Sequence, residues 1–182
     1  MRSSSFSCGL AAALGALCLG ACTMLDPEPL TEGAPDAGPA ASVDEAAILA
    51  RLPTYPNTGF ELLNPLPYVT ALPSGSDVNC WVSDDAYAAY AGISPDVTGS
   101  GIVAPVGTML VREVLDDTGA IDKLTLMVKG PAGYNPTVGD YWFGVTDARG
   151  VPEKMGKLEE CFSCHQQRAG DGYLFGVPDA VR

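Results

Sequence analysis

The sequence predicts an α+β fold: a mainly antiparallel β-sheet with flanking helices and a C-terminal helix that carries the chain's most distinctive motif. Three observations predict it. Apolar residues alternate with period two in three successive runs, 108–115, 124–128 and 140–146. The connections around these runs hold Asp, Gly and Pro and no helical pattern, so they do not supply the crossover that parallel strands need. Helical signals lie before and after the strands rather than between them.

The elements follow in order. Arg2 and three serines precede an apolar run from Cys8 to Cys22, shorter than the roughly 20 residues that cross a bilayer. The run ends Leu19-Gly20-Ala21-Cys22, which resembles the lipobox of bacterial lipoproteins. That resemblance implies a signal peptide over 1–21, cleavage before Cys22 and lipidation of its thiol. Thr23 rather than Asp follows the cysteine, which favours the outer membrane, facing the periplasm. A plain secretory signal with an incidental cysteine is the alternative. Residues 22–41 bring together Pro27, Pro29, Pro35 and Pro39 with Asp26, Glu28, Glu32 and Asp36. Such a stretch buries too little apolar surface to offset its ordering entropy and reads as a flexible acidic tether. A single domain over 42–182 remains.

Ser42 and Glu45 make a capping box for a helix through Ala46 to Leu52, ended by Pro53. Residues 54–73 are rich in proline and read as extended and irregular. Asp84 to Ala91 reads as a second short helix, with Tyr87 and Tyr90 at i and i+3. Thr108 to Leu115 and Leu124 to Val128 form a hairpin across the turn Asp116-Asp117-Thr118-Gly119. A third strand covers Asp140 to Thr146, closed by the turn Asp147-Ala148-Arg149-Gly150. Glu153 to about Arg168 reads as helical, although Gly156 weakens its first turn.

Composition excludes several functions. The chain has 182 residues, 10 basic against 22 acidic, and a formal charge of −12. It therefore lacks the basic face that binding to nucleic acid requires. One histidine, His165, rules out multi-histidine metal sites and bis-histidine haem.

That histidine closes Cys161-Phe162-Ser163-Cys164-His165, the Cys-x-x-Cys-His attachment signature of c-type haem. On a helix, i and i+3 share a face, so both thiols can add to the vinyl groups of one porphyrin. Residue i+4 shares that face and brings an imidazole under the iron. Cys161, Cys164 and His165 are thus expected to hold one covalent haem c, with His165 as the metal ligand. A thioredoxin-type pair would belong in a βαβ unit, and a zinc site would have to crowd Cys80, Cys161, Cys164 and His165 together. No second histidine exists, and no methionine follows the motif, so the sixth iron position is expected to be open. Met155, expected on the same helix about 15 Å from His165, cannot reach the opposite haem face. Met109 and Met127 remain as alternatives.

Gly107-Thr108-Met109-Leu110-Val111-Arg112-Glu113, Met127-Val128-Lys129, Gly139-Asp140-Tyr141-Trp142-Phe143-Gly144, the haem motif and Asp171-Gly172-Tyr173-Leu174-Phe175 occur in an order that resembles the cytochrome P-460 and cytochrome c′-beta family, over about 106–176. The resemblance implies an antiparallel sheet with a C-terminal haem helix, commonly a homodimer, and an open distal site. It implies oxidation of hydroxylamine in one branch and binding of nitric oxide in the other. The P-460 branch carries a lysine cross-link to the porphyrin from the region before the Gly-Thr strand. Here no lysine precedes Lys123, so an ordinary c-type haem is expected.

Alternation offers two distal residues. Glu113 shares a face with Met109, Val111 and Leu115, where it is either a haem-pocket acid or an edge-strand residue reaching solvent. Phe143 either walls a dry pocket or fills core. Arg112 and Lys129 either face propionates or lie on a solvated face, and Cys80 reads as a buried free thiol. The function expected is binding of a small nitrogen-containing ligand such as nitric oxide, with redox turnover as an extension. The alternatives are a hydroxylamine or nitric oxide oxidoreductase using Glu113 and an electron carrier with a methionine sixth ligand; the electron partner is not legible.

Overall fold

The computed structural model describes residues 41–70 and 75–182. The signal peptide read over 1–21, Cys22 and all of the 22–41 tether except Ala41 lie outside the described residues. No described helix is long and apolar enough to cross a membrane.

Seven strands form one antiparallel sheet: β1 (Phe60–Leu62), β2 (Tyr68–Val69), β3 (Asp77–Ser83), β4 (Met109–Leu115), β5 (Ile121–Lys129), β6 (Tyr141–Asp147) and β7 (Pro152–Gly156). Their order across the sheet is β1-β3-β4-β5-β6-β7, and β2 shares the outer edge of β3 with β1. Among the described residues, three short α-helices flank it: α1 (Glu45–Arg51), α2 (Tyr87–Ala91) and α3 (Glu159–His165). The fold is α+β with a mainly antiparallel sheet, as the alternation predicts.

Both turns that join neighbouring strands use the same device. Asp116 Oδ1 accepts the amides of Thr118 and Ala120, and Asp147 Oδ1 accepts those of Arg149 and Val151. An aspartate at the first turn position satisfies backbone donors that no strand partner reaches. Hydrogen bonds led by the Thr118 hydroxyl for Asp116, and by the Val151 amide for Asp147, hold these carboxyls below the usual range.

The register sorts side chains onto two buried faces. One face carries Met109, Val111, Leu124, Leu126, Val128 and Trp142, covered by Ile48 and Leu52 of the α1 segment together with Phe60 and Tyr134. The other carries Val78, Cys80, Val82, Leu110, Val114, Met127, Tyr141 and Phe143, covered by Tyr90, Ile93, Leu174 and Val177, with Cys161 and Phe162 packed against them.

Three expectations are corrected. Glu153 begins no helix: residues 152–156 pair with β6 as an edge strand, in the register Gly144↔Met155 and Val145↔Lys154. The tight Asp147 turn returns the chain antiparallel to β6, and Gly156 sits at φ 108°, which no α-helix contains. Helix α3 therefore starts at Glu159, and a 3₁₀ stretch follows it to Asp171. The region read as irregular over 54–73 contains β1 and β2, and β3 follows it in a stretch where the sequence predicts no element. Finally, the cap of α1 is Asp44, whose carboxylate accepts the Ala47 amide at 2.9 Å, rather than Ser42.

Trp142 is fully buried at the centre of the α1 face, and its indole N–H donates to Glu45 Oε1 at 2.8 Å. Trp142→Ala is expected to lower unfolding free energy by about 3–5 kcal/mol, read as a lower urea midpoint.

Candidate functional site

Helix α3 is seven residues long and consists mostly of the Cys-x-x-Cys-His motif. Its first turn is anchored where the amides of Cys161 and Phe162 both donate to the Leu158 carbonyl, at 3.0 and 3.1 Å. Glu159 and Glu160 favour the positive N-terminal end, and Lys154 pairs with Glu160 at 3.0 Å, tying β7 to the helix. The ion pair is exposed and adds little stability. Cys161 and Cys164 are both half-buried free thiols. Burial is the main cause that raises the Cys161 thiol to about 11.

The single imidazole is held from three sides. Nδ1 of His165 lies 2.7 Å from the Tyr173 carbonyl oxygen. The ring stands 5.4 Å from the Phe143 ring and 5.2 Å, edge to face, from the Phe175 ring. A carbonyl can only accept, which assigns a proton to Nδ1 and leaves Nε2 with its lone pair in the neutral form. Burial pushes the imidazolium pKa down, the Tyr173 carbonyl opposes that shift, and the Arg112 charge adds to it. The result is a neutral imidazole with one ligating nitrogen, next to two thiols three residues apart. This donor set suits a c-type haem.

The sheet face beside α3 can be followed through the pairing. Val82, Leu110, Met127 and Phe143 make one row, and Cys80, Arg112, Thr125 and Val145 make the next. The first row is buried. In the second, Arg112, Thr125 and Val145 are half-buried, and Arg112 Nε donates to Thr125 Oγ1 at 3.1 Å. Cys80 is buried 3.3 Å from the Tyr68 hydroxyl, and burial raises its thiol pKa. Lys129 Nζ donates to the Gly139 carbonyl at 2.5 Å and stands over the Tyr141 ring.

Phe143 and His165 are brought together, but Glu113 is not with them. Glu113 pairs with Asn79 and Leu124 and projects to the α1 face, opposite His165. It is not an edge residue reaching solvent, because β4 is an interior strand and the side chain is 7% exposed, and it does not share the face of His165. Its carboxylate accepts from the Tyr55 hydroxyl and from Asn79 Nδ2, the latter at 2.8 Å. Burial, reinforced by the Glu113 carboxylate, raises the Tyr55 phenol above its ordinary pKa. The alternation named the neighbours of Glu113 correctly and left open which face holds the motif. Met109 and Met155 share the Glu113 face, Met155 from strand β7 rather than from helix α3. Met127 shares the His165 face. Among the described residues no three His, Cys, Asp or Glu side chains are grouped to hold a metal ion, so the crowded zinc set does not assemble.

Sequence reasoning missed the contact of Tyr173 and Phe175 with the imidazole. Both belong to Asp171–Phe175, and Gly172 there was the available signal of a sharp return toward the helix.

Glu113→Ala strands the Asn79 amide and the Tyr55 hydroxyl in a buried site. It is expected to cost about 1–3 kcal/mol in unfolding free energy while leaving the environment of His165 unchanged in its ring resonances. Compared with known proteins, the chain matches no protein-family model and no curated protein.

Proposed function

We propose that this chain is an exported, lipid-anchored mono-haem c-type protein of the cytochrome P-460 and cytochrome c′-beta kind, and that it binds a small nitrogen-containing ligand such as nitric oxide. One observation carries the proposal. His165 Nε2 is the remaining nitrogen of a neutral imidazole whose Nδ1 is tied to a carbonyl, on the same seven-residue helix as Cys161 and Cys164. When bound, haem would supply an iron that coordinates a diatomic ligand or exchanges one electron. Cys161 and Cys164 would fix it covalently, and His165 would ligate it. Phe143 and Phe175 would flank the ring plane of the ligating imidazole, at 5.4 and 5.2 Å between centroids.

Two observations favour ligand binding over the other readings. Met109 and Met155 lie on the opposite sheet face, which leaves Met127 as the described methionine on the side of His165, and Met127 is packed in the core at 6% exposure. This placement supports an open sixth position. Glu113 is turned away and hydrogen-bonded elsewhere, so oxidation of hydroxylamine with Glu113 as base loses its support.

Protein matured in a cell with c-type haem assembly is expected to keep haem under denaturing conditions, seen as a mass increase. Its haem peptide should contain residues around Cys161 to His165 and no lysine-bearing second peptide. The reduced protein is expected to bind carbon monoxide with a change in absorption. Absence of binding points instead to an electron carrier ligated by Met127.

Cys22→Ser is expected to release soluble holoprotein from the membrane fraction. Membrane association that persists in this variant speaks against the anchor.

A further inference from the structure

The segment after α3 is built around a buried ion pair. Arg168 is 6% exposed and Asp171 fully buried, with Arg168 Nη2 3.0 Å from Asp171 Oδ2. The same guanidinium donates to the carbonyls of Ser94 at 2.6 Å, Pro95 at 3.3 Å and Val97 at 3.3 Å, and through Nε to that of Leu174 at 3.4 Å. Asp171 Oδ1 accepts the amides of Gly99 at 2.9 Å and Ser100 at 2.8 Å. The Gly101 amide donates to the Gly170 carbonyl at 2.9 Å. Loop 94–101 is thereby fastened to the 168–174 turn.

That turn is the one that aims a carbonyl at the imidazole. The Tyr173 amide donates to the Arg168 carbonyl at 2.8 Å, and the Leu174 amide to the Asp171 carbonyl at 3.2 Å. Gly172 sits at φ 62°, and a Cβ there would run into the Ile102 carbonyl. Tyr173 follows at φ 66°, an uncommon angle for an aromatic residue, which the surrounding bonds must hold. The Arg168 guanidinium also stands 5.8 Å from the Phe175 ring, whose edge contact with His165 completes the cradle.

We propose that Arg168 and Asp171 are positioning residues for His165: their clamp on loop 94–101 holds the Tyr173 carbonyl on Nδ1, which fixes the tautomer and the ring plane that present Nε2. What Nε2 then meets rests on the haem reading above. A carbonyl that accepts strongly from Nδ1 makes the imidazole a better donor to iron and favours the ferric state.

The test uses the full-length holoprotein, whose single histidine gives one set of ring resonances. In the reduced, carbon monoxide-treated wild type, the Nδ1 proton is expected to exchange slowly with solvent. Asp171→Asn keeps the side-chain volume and the oxygen that serves Gly99 and Ser100 but removes the charge facing Arg168. Arg168→Lys keeps the charge but loses the fork that reaches three loop carbonyls. Each variant should retain haem under denaturing conditions, speed the Nδ1 proton exchange and raise the midpoint potential. Unchanged exchange and potential in both variants overturn the positioning role. If neither variant accumulates, the wild type decides: a rapidly exchanging Nδ1 proton overturns the clamp, and a protected one supports it. A wild-type chain purified without covalent haem overturns the haem reading alone. The clamp is then read from the same imidazole, where a proton on Nδ1 supports it and a proton on Nε2 overturns it.

Discussion

A strand side chain can point to one of only two faces, and in this sheet both faces are buried. Everything about the site depends on that parity. Strand β4 places Met109, Val111 and Glu113 against the α1 side, and Leu110, Arg112 and Val114 against the side of His165. A slip of one residue would carry Glu113 to the imidazole and Arg112 into the Trp142 core. The slip is prevented because Leu110 and Val114 would leave one core at the same time as Met109 and Val111 left the other. The polar residues obey the same rule. Glu113 is tolerable on its face because Tyr55 and Asn79 satisfy it, and Arg112 on its own because Thr125 accepts from Nε and the face is half open there.

The site itself is added to the sheet with little covering of its own. No residue of α3 is fully buried, and the helix is shorter than one that persists alone in water. Its order comes from neighbours: the Leu158 carbonyl at its start, the Phe143 ring on the sheet and the Tyr173–Phe175 return beyond it. Cys161 and Cys164, on the same helix face as the imidazole, stay half-buried, so a porphyrin would reach them without the helix being displaced from the sheet.

The legible and illegible parts of the chain separate on physical grounds. Strands β4, β5 and β6 were legible because Val, Leu and aromatic residues alternate there and Asp-Gly turns bound them. Strand β3 was not, since the apolar Trp81 between Cys80 and Val82 blurs an alternation that only Asn79 marks. Strand β7 failed for the opposite reason: an edge strand needs no apolar face, so Glu153-Lys154-Met155 reads as well for a helix as for an edge. For the site, spacing alone brought Cys161, Cys164 and His165 together, because i, i+3 and i+4 adjacency is a property of any helix. Phe143 was within reach of alternation, but which of the two sheet faces holds the motif, and that Glu113 lies on the other, was not, since parity says which residues go together and not what lies above them. The Tyr173 carbonyl was beyond reach altogether, being a backbone atom placed by a turn.

A buried Arg–Asp pair is a poor way to gain stability. Taking two charges out of water costs several kcal/mol per ion, and an apolar pair of the same volume often does as well or better. At Arg168 and Asp171 the charges do something an apolar pair could not. Arg168 draws the carbonyls of Ser94, Pro95, Val97 and Leu174 toward a single point, and Asp171 collects two amides from the same loop. Apolar side chains would fill that volume without dictating which way a carbonyl faces. Hydrogen bonds have direction, and direction is what a fixed imidazole tautomer requires, since a rotated Tyr173 peptide would leave Nδ1 without an acceptor and the tautomer undetermined. The positive backbone angle at Tyr173 fits the same logic: a strained conformation persists where its surroundings over-determine it, and here Gly172, the Ile102 carbonyl and the Arg168 carbonyl all constrain the one peptide whose oxygen touches His165.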